Sequence, residues 1–254
     1  MFNMQYVIGD IGNTLTKICL IDINFKILKE FSIESKKLLK KNNVIKFLKP
    51  ILKQTINKKI IFSSVVPNVY RIISNVIKHK NYYCYEIKKL PLKKIIKINI
   101  DNYRQLGSDR IANAIGAYYS FKQSSLIIDF GTATTFDIVK SPGIYEGGVI
   151  TPGLKLSIIN LNKYTAALPI FKLKSNAKVY GKNTKDALNA GFLWGYQGLI
   201  NNIIKKLSIK FRTNFKIILT GGYANIFSKF IDKKTTIDRH ITIKGIMHIH
   251  KKLI

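Results

Sequence analysis

Apolar residues along the chain fall into short runs and helical stripes. Tyr6-Val7-Ile8-Gly9-Asp10 and Ile18-Cys19-Leu20-Ile21 read as two strands joined by the turn residues Ile11-Gly12-Asn13-Thr14, and residues 26–33 alternate well enough for a third. Residues 38–56 have helical spacing, interrupted or kinked at Pro50, because proline cannot donate to the helix ladder. Residues 59–66 return to strand until Pro67 stops them. Val69, Ile72, Ile73 and Val76 then mark one face of a helix over 68–78. Residues 109–121 predict a better helix, striped by Ile111, Ala112, Ile115 and Tyr119. Residues 125–139 read as strand, turn, strand, and 185–207 as a long helical region. A buried strand over 215–219 ends at Thr220-Gly221-Gly222, with a helix to follow. No low-complexity linker separates halves, and the natural boundary lies near 118–124.

The hairpins carry an internal echo. Ile8-Gly9-Asp10-Ile11-Gly12-Asn13-Thr14 and Ile127-Ile128-Asp129-Phe130-Gly131-Thr132-Ala133 share one plan: apolar strand, Asp-x-Gly, short polar residue, returning strand. Such similarity indicates two copies of one unit. An aspartate at a strand end can hold a cation or its bound water. The glycine lets backbone N–H groups approach phosphate oxygens, and Asn or Thr adds hydrogen bonds. Two such hairpins facing one another would clamp a phosphate chain. Each alone reads equally well as a tight turn, since Asp, Gly and Asn are turn residues. Neither Gly-x4-Gly-Lys-Ser/Thr nor Gly-x-Gly-x-x-Gly occurs, so those routes to nucleotide binding are excluded.

The 254 residues suffice for one large domain or two modest ones, and 46% apolar residues can fill their cores. Apolar runs such as 126–128 and 60–62 are strand-sized, far short of the roughly 20 residues of a membrane helix. Met1-Phe2-Asn3-Met4 shows no leader pattern, so the expected location is cytoplasmic, without a membrane partner. Cys19 and Cys84 read as reduced core thiols. The net charge of +30 is spread along nearly the whole chain as lysine, with arginine scarce. A nucleic-acid surface would gather its cations on one face among aromatics, so the charge is read as solvated lysine rather than as a nucleic-acid site. Its field still attracts anionic nucleotides, less so at high salt.

The two hairpins resemble the phosphate motifs of the superfamily that unites acetate and sugar kinases, heat-shock chaperone ATPases and actin. Thr220-Gly221-Gly222 resembles its adenosine-side motif. Within it, Asp10-Ile11-Gly12-Asn13-Thr14, Leu106-Gly107-Ser108-Asp109-Arg110, Asp129-Phe130-Gly131-Thr132-Ala133-Thr134-Thr135 and Gly147-Gly148-Val149-Ile150-Thr151-Pro152-Gly153 resemble one family, type III pantothenate kinase. Gly181-Lys182-Asn183-Thr184 is a weaker fifth match. The resemblance implies an α/β fold of two ribonuclease H-like (actin-like ATPase) domains, with mixed sheets flanked by helices. Residues 1–118 would carry the first phosphate hairpin and 119–254 the second. It implies ATP-dependent phosphorylation of pantothenate, the first step of coenzyme A synthesis, by a homodimer whose substrate pocket lies near the dimer interface.

By the same resemblance, Asp10, Ile11, Gly12, Asn13, Thr14, Leu15, Thr16 and Lys17 cradle the ATP phosphates, and Thr132 also meets ATP. Asp109 is the proton acceptor. Gly107, Ser108, Asp109, Arg110 and Thr184 contact pantothenate. Asp129 holds a monovalent cation, potassium or ammonium, and a divalent cation such as magnesium accompanies ATP. One departure stands out: the family's substrate tyrosine falls at Ile100 here, and Tyr103 is the nearest replacement. On residue chemistry alone, Asp109 reads as general base or as helix cap, and Arg110 as an anion partner or a surface residue. Asp137 reads as a structural hydrogen-bonding residue. Another phosphotransferase of the superfamily and a nucleic-acid-binding transcription accessory protein are the competing functions.

Overall fold

A computed structural model describes residues 5–55 and 57–254; the N-terminal reading of residues 1–4 and the position 56 end of the first predicted helix lie outside the described residues. In chain order the first elements are β1 (Tyr6–Ile11), β2 (Leu15–Ile21), β3 (Ile27–Glu34), α1 (Lys41–Leu52), β4 (Lys59–Ser64), α2 (Pro67–Lys78), β5 (Tyr83–Glu86), β6 (Lys97–Ile98) and α3 (Ser108–Phe121). They are followed by β7 (Ser125–Phe130), β8 (Ala133–Lys140), β9 (Ile144–Pro152), α4 (Leu154–Lys163), α5 (Thr184–Phe211), β10 (Lys216–Gly221), α6 (Ala224–Phe227), β11 (Thr235–Ile237) and α7 (Ile241–Leu253). The chain forms two compact units that do not follow a single cut. The first runs to Phe121 and regains Gly143–Tyr145 and His240–Ile254; the second holds Lys122–Pro142 and Glu146–Arg239.

In the first unit the strand order is β3-β2-β1-β4-β5. β1 pairs antiparallel with β2, and β1 with β4 and β4 with β5 run parallel. One face carries Val7, Ile11, Ile18, Leu20 and Phe62 into a core with α1 and α2. Pro50 falls in the last turn of α1 and the helix closes two residues later. Pro67 opens α2 at its first turn, where the missing N–H costs nothing. The opposite face of the sheet is covered by α3 and α7, both in contact with β4. These two helices cross backbone to backbone: a Cβ on Gly116 would lie 2.1 Å from the Ile241 carbonyl oxygen, and one on Gly245 1.9 Å from that of Ala112. Thr242 Oγ1 adds a 2.6 Å hydrogen bond to Asn113 Oδ1, which is buried. The first residues of β9 also belong here, Ile144 and Tyr145 pairing in parallel with β6.

The second unit carries the strands in the order β11-β10-β7-β8-β9. β7 pairs antiparallel with β8 and parallel with β10. The hairpin-plus-parallel-strand plan of β1, β2 and β4 is therefore repeated by β7, β8 and β10. Leu126, Ile128, Phe130 and Phe136 face a core filled from α4, α5 and α6 by Leu154, Ile158, Leu193, Ile200 and Phe227. The fold is thus α/β, with mixed sheets flanked by helices.

His248 and His250, whose spacing suits one strand face, instead lie on α7, where Ile243, Ile246 and Ile249 supply the buried stripe. Cys19 and Cys84 are free thiols, and burial pushes Cys19 up to about 12. Among the described residues no helix is long and apolar enough to cross a membrane.

The α3–α7 crossing leaves no room for a methyl group. Gly116→Ala is expected to lower unfolding free energy by about 1–3 kcal/mol, the usual cost of forcing an extra methyl into a packed contact. Urea unfolding monitored by circular dichroism measures it, with a lowered midpoint expected.

Candidate active site

The first hairpin turn closes through the Gly12 N–H to the Leu15 carbonyl at 3.1 Å. It is buttressed from outside by Ser35, a residue the sequence reading passed over. Ser35 Oγ donates to the Gly12 carbonyl at 2.6 Å and lies 2.9 Å from Thr16 Oγ1, and its N–H reaches the Thr14 carbonyl at 3.0 Å. Asn13, Thr14 and Leu15 are exposed, whereas Ile11 and Thr16 are buried, so the latter two can offer a ligand only their backbone. Asp10 is half-buried and Lys17 is its cross-strand partner. The Lys17 ammonium lies 4.0 Å from Glu30, which is 3.2 Å from His240 at the start of α7.

β1 hands this hairpin to its parallel neighbour. The Val65 N–H donates to the Ile11 carbonyl at 3.0 Å, and Ile11 is the register partner of Ser64. Ser64 in turn holds α3: Ser108 Oγ accepts from the Ser64 N–H at 2.9 Å and donates to the Ser64 carbonyl. Ser108 is 1% exposed, so neither bond competes with water. Asp109 follows directly, in the first turn of α3. The structure therefore gathers Asp10 to Lys17 and Gly107 to Arg110 at one end of one sheet.

Asp109 Oδ1 accepts from the Arg110 N–H at 2.7 Å, so the carboxylate is held within the first turn of α3 and satisfies one of the free N–H groups there. Burial raises its carboxyl above the ordinary aspartate value of 3.8, while the Arg110 N–H and guanidinium pull it back part of the way. A Cβ on Gly107 would come within 2.5 Å of Asp109 Oδ1, so only glycine leaves the carboxylate where it is. The Arg110 guanidinium stands 6.0 Å over the ring of Tyr145, a buried residue of the segment returned to this unit. No local sequence signal marks Tyr145, because its proximity is created by the β6–β9 pairing. Tyr103 sits in the short turn Tyr103–Gln105 and donates to the Lys88 carbonyl at 3.4 Å, with the Lys88 ammonium 6.0 Å from its ring.

In the second unit Asp129 is the penultimate residue of β7, and the Gly131-Thr132 turn returns into β8. A Cβ on Gly153 would lie 2.0 Å from the Thr132 carbonyl oxygen and 2.7 Å from that of Gly131, so the end of β9 rests directly on this turn. Thr151 Oγ1 donates to the Thr134 carbonyl at 3.3 Å. Gly221, at φ 84°, lies against the Phe130 backbone, and the Gly222 N–H donates to the Phe130 carbonyl at 3.1 Å. Asp129, Thr132, Gly153 and Gly221-Gly222 thus share one sheet end. Asp137 is buried and accepts from Thr135 Oγ1 at 3.2 Å. Thr184 opens α5 behind a reciprocal cap, in which Asn183 Oδ1 accepts from the Asp186 N–H at 2.9 Å and Asn183 Nδ2 donates to Asp186 Oδ2 at 3.1 Å. It lines a groove of about 500 Å³ with Leu168, Gly191, Phe192, Gly195 and Tyr196.

Among the described residues no group of three or more His, Cys, Asp or Glu side chains could hold a metal by itself. A magnesium ion that arrives on substrate phosphates needs only one or two protein carboxylates, and Asp10, the register partner of the buried Ser63, is a candidate for one.

Residues 6–206 match a protein-family model described as type III pantothenate kinase. A type III pantothenate kinase of Pelagibacter ubique is 43% identical over 244 residues, covering 95% of this chain and 96% of the relative. One from Fervidobacterium nodosum is 32% identical over 248 residues, 96% of each. Among solved structures, an inorganic polyphosphate/ATP-glucomannokinase of an Arthrobacter species superposes with TM-score 0.51 at 12% identity, over 98% of this chain and all of that one. The ethanolamine utilization protein EutJ of Carboxydothermus hydrogenoformans gives 0.55 at 13%, over 95% and 88%. At these identities the two structures show the fold alone.

The surroundings of Asp109 make a prediction independent of any reaction. Carbon-13 NMR titration should place its midpoint above 3.8, and Arg110→Gln should move it further up, because the cation that favours the carboxylate is gone. A midpoint at or below the ordinary value contradicts this electrostatic reading.

Proposed function

The chain belongs to the type III pantothenate kinase family, and from that premise we propose that it transfers the γ-phosphoryl group of ATP to pantothenate, opening coenzyme A synthesis. The observation that carries the assignment of roles is Asp109: a half-buried carboxylate held above its ordinary pKa at a helix start, bolted to the strand end beside the first phosphate hairpin. Phosphoryl transfer demands positioning and charge stabilisation more than covalent chemistry. Asp109 accepts the proton of the pantothenate primary hydroxyl as that oxygen attacks phosphorus. A raised pKa makes it a stronger base once ionised. Activity therefore falls as pH drops through that raised value.

Asp10 to Lys17 receive the ATP phosphates through the backbone of the turn and the Lys17 ammonium, and Thr132 also meets ATP. Asp10 would hold the magnesium ion that accompanies ATP, which would supply neutralising charge to the phosphates. Asp129 serves the monovalent cation. Its Oδ1 would lie 3.7 Å from a Cβ on Gly131, so the carboxylate leans over the second turn, where carbonyl oxygens could complete an oxygen shell. Arg110 pairs with the substrate carboxylate or the transferring phosphoryl group, and Gly107, Ser108 and Thr184 frame pantothenate. The bond from Tyr103 to the Lys88 carbonyl is long enough at 3.4 Å to be exchanged for one to substrate.

The enzyme works in the cytoplasm as a homodimer, associating along α5. Gly191, Gly195 and Gly198 on that helix would meet nothing with a Cβ, and Phe192, Tyr196 and Leu199 line the adjoining groove.

A coupled ADP-release assay with and without pantothenate tests this reading. Pantothenate-dependent turnover is expected. Turnover only with another alcohol moves the chain to another phosphotransferase activity, and none, together with salt-sensitive DNA binding, overturns the kinase. Asp109→Asn should leave ATP binding nearly intact and lower kcat by roughly 10²–10⁴-fold, the contribution of a lost general base.

A further inference from the structure

Ser63 occupies a position that the roles above leave unused. It is the penultimate residue of β4, fully buried, and its hydroxyl makes no hydrogen bond. A buried hydroxyl without an acceptor weakens a fold, since desolvation is not compensated. Its place in the sheet is specific: Ser63 is the register partner of Asp10 on the parallel strand β1. Paired residues on neighbouring strands project from the same face about 4.8 Å apart. That face is the one covered by α3 and α7, since Val7 and Ile11 on β1 and Phe62 on β4 point into the opposite core. Solvent does not reach Ser63. The partner that satisfies it must therefore be a protein atom that can move, and the Asp10 carboxylate is the acceptor one strand away.

The second unit repeats the arrangement. Asp129 has Thr220 as its register partner on the parallel strand β10, and Thr220 is 4% exposed. A hydroxyl thus stands beside the aspartate of each Asp-x-Gly hairpin, on the neighbouring parallel strand. Chain-local reading could not reveal this, because 53 residues separate the first pair and 91 the second.

We propose that Ser63 is a positioning residue for Asp10: when the magnesium–nucleotide complex arrives, Asp10 turns one carboxylate oxygen toward the Ser63 hydroxyl, which donates to it, and presents the other to the cation or its bound water. The unsatisfied hydroxyl in the free protein is relieved on loading, and the hydrogen bond selects the rotamer that faces the metal. Partners of this kind orient metal-binding carboxylates and typically change metal affinity by roughly 10–100-fold when removed. The inference rests on the assignment of Asp10 to magnesium and ATP.

Ser63→Ala removes the hydroxyl with almost no change of volume, and three readouts on the intact chain decide the matter. Thermal unfolding of the ligand-free variant should give the same or a higher Tm, because an unsatisfied group is lost. Calorimetric titration with ATP in EDTA should match wild type, whereas titration with ATP at fixed magnesium should show affinity weaker by roughly 10–100-fold. A variant that unfolds or has a lowered Tm shows that the hydroxyl supports the fold itself, and overturns the proposal. So does unchanged affinity in magnesium. Failure of the wild-type chain to bind ATP more tightly with magnesium than without it would instead remove the premise about Asp10, a result separate from any difference between the two proteins.

Discussion

Two hydrogen bonds made by one hydroxyl group hold the start of α3 against the end of β4. Ser108 Oγ takes the N–H of Ser64 and gives its proton to the Ser64 carbonyl, so a strand end and a helix start, 44 residues apart in the chain, are locked together. Both bonds are shielded from water and therefore stronger than the same pair at a surface. Register does the rest. Ser64 is paired with Ile11, Ile11 is bonded from Val65, and Asp10 precedes Ile11, so the helix that presents Asp109 is referenced to the strand that presents Asp10. The geometry of the candidate site in the first unit is thus a consequence of parallel strand pairing plus one serine.

Within each unit the packing is organised by what glycine leaves out. Gly116 and Gly245 let α3 and α7 cross at backbone distance, Gly107 leaves space for the Asp109 carboxylate, and Gly153 lets the end of β9 lie on the second hairpin turn. These are close approaches rather than flexible joints. They set where carboxylates and N–H groups stand, and rigid placement is what phosphoryl transfer requires. Burial then tunes the chemistry, since the same packing that fixes Asp109 raises its pKa. The net charge of +30 sets a positive field at longer range, screened by salt.

Local features of the site were legible in the sequence because their signals are local. Each Asp-x-Gly turn lies between two apolar runs, and the α3 stripe begins beside Asp109. Thr220-Gly221-Gly222 closes a buried strand, and β10 does end there. What escaped depends on contacts between distant segments. Ser35 and Ser63 are ordinary serines until the sheet sets one against the first turn and the other beside Asp10. Tyr145 reaches Arg110 only through the β6–β9 pairing. β9 was missed because Gly147, Gly148 and Pro152 depress strand propensity. α7 was missed because its His-Ile-His spacing imitates a strand, while its burial follows contact with α3.

The central claim is that Asp109 stands where the acceptor alcohol loses its proton. A crystal structure with a non-hydrolysable ATP analogue and pantothenate tests it most directly. The account predicts an Asp109 carboxylate oxygen within about 2.6–3.2 Å of the pantothenate primary hydroxyl, with Ser108 still bonded to Ser64. A hydroxyl bound instead against another carboxylate, such as Asp137 or Asp186, with Asp109 turned away from the substrate, would contradict it.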